Sequence, residues 1–150
     1  MHRLLQRLLV VEDDVAVARA LCRTLTRAGF TVVSARSCSD ARSLEQVFDA
    51  TILDLDLPDG NGVDLARALM AEARAPNILF FTSCTDPTLL ARARCLGSVV
   101  MKSLGTGPIL SWLETTAREG TDIPQSGTAP SARARDQRAS SSPQRRSRTR

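Results

Sequence analysis

Tyrosine is absent from this 150-residue chain, and the other aromatics are scarce at four Phe and one Trp. The core must therefore be built from Leu, Val, Ala and Ile. Apolar residues make up 43% of the chain, enough for one domain of ordinary size. The four cysteines, Cys22, Cys38, Cys84 and Cys95, form no CxxC pair and have no histidine near them. That spacing argues against a zinc site and for reduced thiols filling small apolar gaps.

Long apolar runs are also missing. The N-terminal stretch MHRLLQRLLVVEDD starts like an export signal, but Arg7 interrupts it and Glu12-Asp13-Asp14 ends it too soon to span a bilayer. No membrane association is expected, and the reading is a cytoplasmic protein. Neither GxxxxGK[ST] nor GxGxxG occurs, so nucleotide binding has no support, and Gly60 and Gly62 read as turn glycines.

The net charge of +4 is unevenly spread. Residues 1–120 carry thirteen Lys and Arg against fourteen Asp and Glu, whereas residues 121–150 carry seven Arg against two Asp. A basic globular face for nucleic acid is therefore not implied by the total. From Gly120 the composition turns to Ser, Arg, Pro, Gln and Gly, with Ile123 the one large apolar residue. Too little can be buried there to offset the entropy of ordering the backbone, so 120–150 is expected to be a disordered basic tail behind a domain at 1–119.

Within that domain, short apolar runs alternate with helical periods. Strands are predicted at 8–11, 30–34, 50–54, 77–82 and 98–101. Helices are predicted from Asp14 to Ala28, from a cap at Ser37 or Ser39 to about Phe48, from Val63 to Ala73, from Asp86-Pro87 to about Leu96, and from Pro108 to about Arg118. Leu44, Val47 and Phe48 are expected inward on the second helix, and Ile109, Trp112 and Leu113 on the last. Five strands alternating with five helices argue for a doubly wound parallel sheet covered on both faces. Sites in such sheets form beyond the carboxyl ends of the strands.

Those ends carry Glu12-Asp13-Asp14, Asp54, Thr82-Ser83 and Lys102. Carboxylates brought close together repel unless a cation neutralises them. An oxygen-only, acid-rich set suits Mg²⁺, which keeps waters and accepts a phosphate oxygen. Lys102 offers a point charge and Thr82 a hydroxyl to the same phosphate. Asp14 reads as a helix cap rather than a ligand.

The order VVEDD, LDLDLPDGNG, FFTS and VVMKS resembles the receiver domains of bacterial two-component response regulators, over about residues 7–118. The resemblance implies a flavodoxin-like three-layer α/β/α fold with a five-stranded parallel sheet. It implies that Asp54 is the phosphoacceptor and that Mg²⁺ is held by Glu12, Asp13, Asp54 and the backbone carbonyl of Asp56. Thr82, with Ser83 beside it, takes the place of the switch hydroxyl, and Lys102 that of the phosphate-pairing lysine. The implied partner is a histidine kinase or phosphotransfer protein. Signalling is expected to go through protein–protein contact, with catalysis confined to the chain's own phosphorylation and dephosphorylation.

Two positions depart from the family pattern. Val99 stands at the readout position where receivers usually carry an aromatic residue. Ser103 follows the lysine where proline is common, through a cis peptide; without proline a cis bond costs roughly 2.5–4 kcal/mol. A different path is therefore expected for 103–107, where Gly105 and Gly107 add pliability. These departures keep open a pseudo-receiver that works without phosphate. The arginines of 121–150 keep open a DNA-associated regulator, although no helix-turn-helix or aromatic platform accompanies them. Cys84, two residues past Thr82, reads as an inert core thiol, with a redox-sensitive thiol beside the pocket as the sharper alternative.

Overall fold

A computed structural model of the chain describes residues 5–119; the expected tail at 120–150 lies outside the described residues. Strand β1 (Arg7–Val11) leads into α1 (Val15–Arg27), and β2 (Thr31–Ala35) into α2 (Cys38–Ser43). Strand β3 (Ala50–Leu53) is followed by a small hairpin, β4 (Asp56–Leu57) and β5 (Gly60–Asn61), which opens into α3 (Gly62–Ala71). Strand β6 (Ile78–Thr82), α4 (Pro87–Arg94), β7 (Ser98–Met101) and α5 (Gly107–Glu119) complete the fold.

The five long strands form one parallel sheet in the order β2-β1-β3-β6-β7. This is the flavodoxin-like doubly wound arrangement. Its strand order reverses direction between β1 and β3, and a crevice opens there beyond their carboxyl ends. Val11 and Leu53 are register partners at the last rung, so the residues that follow them, Glu12 and Asp54, emerge side by side.

Leucine and β-branched residues make both faces of the sheet, as the lack of aromatics requires. On one face Leu9, Val11, Leu53, Ile78 and Phe80 pack with Ala41 of α2, Leu65 and Leu69 of α3, and Ala93 of α4. On the other, Leu8, Val10, Ile52 and Leu79 pack with Leu21 and Leu25 of α1 and Ile109 and Leu113 of α5. Trp112, half-buried, packs against that second cluster.

Caps fix the helix starts. Asp14 accepts from the amides of Ala16 (2.9 Å) and Val17 (3.0 Å). Asp86 does the same for Thr88 and Leu89, with Pro87 in the first turn. Ser37, rather than Ser39, caps α2 by accepting from Asp40 N at 3.0 Å.

Helix α2 is shorter than its apolar spacing predicted. It ends at Ser43, and 44–48 leaves the helical path. The Arg74 guanidinium donates to the carbonyls of Ala41 and Arg42, ending the helix from outside. Phe48 N then donates to Arg74 O at 2.8 Å, and the Phe48 ring is fully buried. Val47, expected inward, is 50% exposed.

The loop after Lys102 does take its own path. Every peptide bond in the described residues is trans, Lys102–Leu104 winds into a single 3₁₀ turn, and Gly105 closes it at φ 73°.

Candidate functional site

Asp54 follows the last residue of β3 and is buried, 5% exposed. Both of its carboxylate oxygens are engaged. Oδ1 accepts from the Thr82 hydroxyl at 2.7 Å and from Asp56 N at 3.3 Å. Oδ2 accepts from Lys102 Nζ at 2.6 Å. The same ammonium reaches Glu12 Oε2 at 2.7 Å. Glu12 is itself 2% exposed, and its other oxygen accepts from Asp14 N at 3.1 Å.

Four strand ends thus place these groups. Thr82 is the last residue of β6 and fully buried, and its hydroxyl oxygen also accepts from Cys84 N at 3.1 Å. With that acceptor role filled, its proton is directed at Asp54. Lys102 follows β7 and reaches back across β6 to β3 and β1, its stem half-buried.

Burial pushes the Glu12 carboxyl above the ordinary carboxylate range, more than its bonds from Lys102 and the Asp14 amide pull it down, and the neighbouring Asp54 adds to the rise. Burial also acts to lower Lys102, but its bonds to Asp54 and Glu12 outweigh that and hold the ammonium above its usual value.

Asp13 is exposed, and carboxylate oxygens of Glu12, Asp13 and Asp54 lie within 4.8 Å of one another. Three carboxylates against the one ammonium of Lys102 leave a formal charge of −2 when all are ionised. The donor set is oxygen-only and matches a hard divalent cation in charge as well as chemistry.

The sequence-predicted residues Glu12, Asp13, Asp54, Thr82 and Lys102 therefore meet, with the backbone of Asp56 over the Asp54 carboxylate. Ser83 is exposed and no hydrogen bond joins it to the cluster. Val99 is half-buried, pairs with Phe80 in register and packs on the core that contains Cys84. Cys84 is 8% exposed within that core, which is the surrounding of an inert thiol.

Sequence reasoning missed Asp59. From the tip of the β4–β5 hairpin it accepts from Cys38 N (2.8 Å) and Ser39 N (2.9 Å) at the start of α2. Only the Pro58-Asp59-Gly60 turn signal pointed to it, and its partner lies 21 residues away.

Residues 8–105 match the model of the response regulator receiver domain. The chain belongs to the response-regulator receiver family. The receiver is 32% identical to the transcriptional regulatory protein KdpE of Mycobacterium tuberculosis over 117 residues, 75% of this chain and 51% of that one. It is 30% identical to the probable transcriptional regulatory protein SilR of Salmonella typhimurium over 121 residues, 78% of this chain and 53% of the relative. Among solved structures it is similar to the non-phosphorylated HemR receiver domain from Leptospira biflexa, at TM-score 0.67 and 32% identity, covering 75% of this chain and 94% of that one. The chain spans about half the length, or less, of the curated relatives it matches. Receivers as a family are phosphoacceptor modules that bind Mg²⁺ at an acidic pocket and work with histidine kinases or phosphotransfer proteins. No helix among the described residues is long and apolar enough to cross a membrane.

Proposed function

We propose that this receiver is a phosphate-activated switch whose Asp54 takes a phosphoryl group from a histidine kinase or phosphotransfer protein, at a cytoplasmic site. The observation that carries the reading is the triple hold on Asp54: one hydroxyl, one ammonium and one backbone amide converge on a buried carboxylate. A structural carboxylate at a strand end has no need of all three.

In the transfer, an Asp54 carboxylate oxygen attacks phosphorus, the bond to the donor imidazole breaks, and that imidazole leaves. Lys102 and Thr82 already lie within bonding distance of Asp54, so both can follow the charge as it moves onto the phosphoryl oxygens. Glu12, Asp13, Asp54 and the Asp56 carbonyl would hold Mg²⁺, which supplies charge neutralisation. Water attack on phosphorus later returns the carboxylate and releases inorganic phosphate.

The test is incubation with a small acyl phosphate and Mg²⁺, with Asp54→Asn alongside. Base-labile phosphate on the parent and none on the variant is the expected result. Equal labelling of both would overturn the assignment.

A second reading, a pseudo-receiver that works without phosphate, draws on two observations. Val99 offers no aromatic ring to couple to the Thr82 hydroxyl, and Ser103 stands after Lys102 within a 3₁₀ turn. It predicts the same partner binding by the parent and Asp54→Asn. The relatives named as transcriptional regulators, with the arginines of 121–150, give a DNA-linked output as a further possibility. Salt-sensitive DNA binding lost on deleting 121–150 would be its signature.

A further inference from the structure

The hairpin that follows Asp54 has two-residue strands, far too short to hold their own geometry. Its position comes from outside ties: on the β4 side Leu55 and Leu57, which flank Asp56, are buried in the core. On the β5 side there are three. Asn61 caps α3 by accepting from Asp64 N at 2.9 Å, and Gly62 N donates to Leu55 O at 2.8 Å. The bare Cα of Gly62 also lies so close to Asp54 that an added Cβ would stand 2.2 Å from the Asp54 carbonyl oxygen. The tip has one side-chain tie to α2. Asp59 is exposed, yet each of its carboxylate oxygens accepts a separate backbone amide, Cys38 N at 2.8 Å and Ser39 N at 2.9 Å. The buried Cys38 thiol backs the contact, 3.3 Å from where a Cβ on Gly60 would stand.

We propose that Asp59 is a positioning residue for the metal: by tying the hairpin tip to α2, it fixes where the backbone of Asp56 stands over Asp54. The proposal rests on the metal assignment given under Proposed function. Asp56 begins the hairpin and pairs with Asn61 across it, and its amide already reaches Asp54 Oδ1. With the tip released, Leu55 and Leu57 still seat β4, but the turn at 58–60 no longer fixes the tilt of the exposed Asp56 peptide between them. A ligand that is a main-chain carbonyl has no rotamer with which to compensate for such a tilt, so its position depends on these ties.

A purely structural role, in which Asp59 only stabilises α2, predicts something different. The other end of α2 supplies the control, because Arg74 caps Ala41 and Arg42 without touching the hairpin. The experiment is calorimetric titration of Mg²⁺ into the parent, Asp59→Ala, Asp59→Asn and Arg74→Ala, each with a urea unfolding curve. Asp59→Ala is expected to weaken Mg²⁺ binding by about tenfold, the low end of losses when groups that orient metal ligands are removed. Asp59→Asn, which keeps one carbonyl acceptor and gives a second variant should alanine not fold, falls between that and the parent. Arg74→Ala loses stability but keeps the parent's affinity. Parent-like affinity in both Asp59 variants, or an equal loss in Arg74→Ala, would overturn the proposal and leave the metal assignment standing. A parent that binds no Mg²⁺ would overturn the assignment itself.

Discussion

Lys102 is the residue on which the site's electrostatics turn. Its ammonium lies 2.6 Å from Asp54 and 2.7 Å from Glu12, two carboxylates almost wholly out of water. Removing one partner of a buried pair costs far more than the pair contributes, because the remaining charge is left without compensation. Lys102→Met should therefore lower stability by about 3 kcal/mol, near the low end for broken buried pairs because the lysine side chain is itself 18% exposed. Urea unfolding with and without Mg²⁺ checks both the size and the cause. The cation should stabilise the variant more than the parent, since it replaces the missing charge. A variant as stable as the parent would mean that Glu12 and Asp54 are not jointly ionised in the fold.

Helix α2 shows how elements here are held from a distance. It has six residues, too few to be stable by propensity, and its ends are met by Asp59 at the amino end and Arg74 at the carboxyl end. Both charges have the sign that the helix dipole favours. Helix α3 ends differently. Ala73 takes the left-handed conformation, φ 53°, where glycine is usual, and Arg74 N bonds back to Leu69 O. The left-handed region costs an L-residue roughly 1–2 kcal/mol, against roughly 0.5–1 kcal/mol of extra chain entropy for glycine. Ala73→Gly should then stabilise the protein by about 0.5 kcal/mol, read as a higher denaturation midpoint at unchanged slope. A lower midpoint would show that the alanine methyl makes a contact worth more than its strain.

At the scale of the whole molecule, acid stability carries the signature of the hairpin tie. The Ser39 and Cys38 amides hold the Asp59 carboxyl below its ordinary value. Its contribution is complete above the unfolded value, near 3.9, and is lost as pH falls through the lower folded one. Glu12 has the opposite sign. Burial raises it, so the folded state favours its protonated form, and that advantage disappears as pH rises from the unfolded value through the folded one. Asp59→Asn should flatten the fall in stability below about pH 4. An acid limb as steep as the parent's would mean that the two amide bonds do not persist in solution.

The same scale shows what could be read before any coordinates. The alternation of apolar runs and helical periods was enough for the sheet, because strands buried on both faces need those runs and caps such as Asp14 and Asp86 act on their own neighbours. The cluster of Glu12, Asp13, Asp54, Thr82 and Lys102 was legible for a related reason: a parallel sheet brings its strand ends to one edge. The early end of α2 was not, since Val47 and Phe48 keep helical spacing and the residue that stops the helix lies some thirty positions away. Asp59 was hidden in the same way, as an ordinary turn acid whose partners are distant in sequence.

The central claim, that Asp54 accepts the phosphoryl group, is tested most directly by chemical trapping. The protein is treated with an acyl phosphate and Mg²⁺, reduced with borohydride, and fragmented for mass spectrometry. An acyl phosphate at Asp54 is converted to homoserine at position 54, and only there; that is the predicted result. An unreduced Asp54, or homoserine at Asp13 or Asp56 in its place, would contradict it.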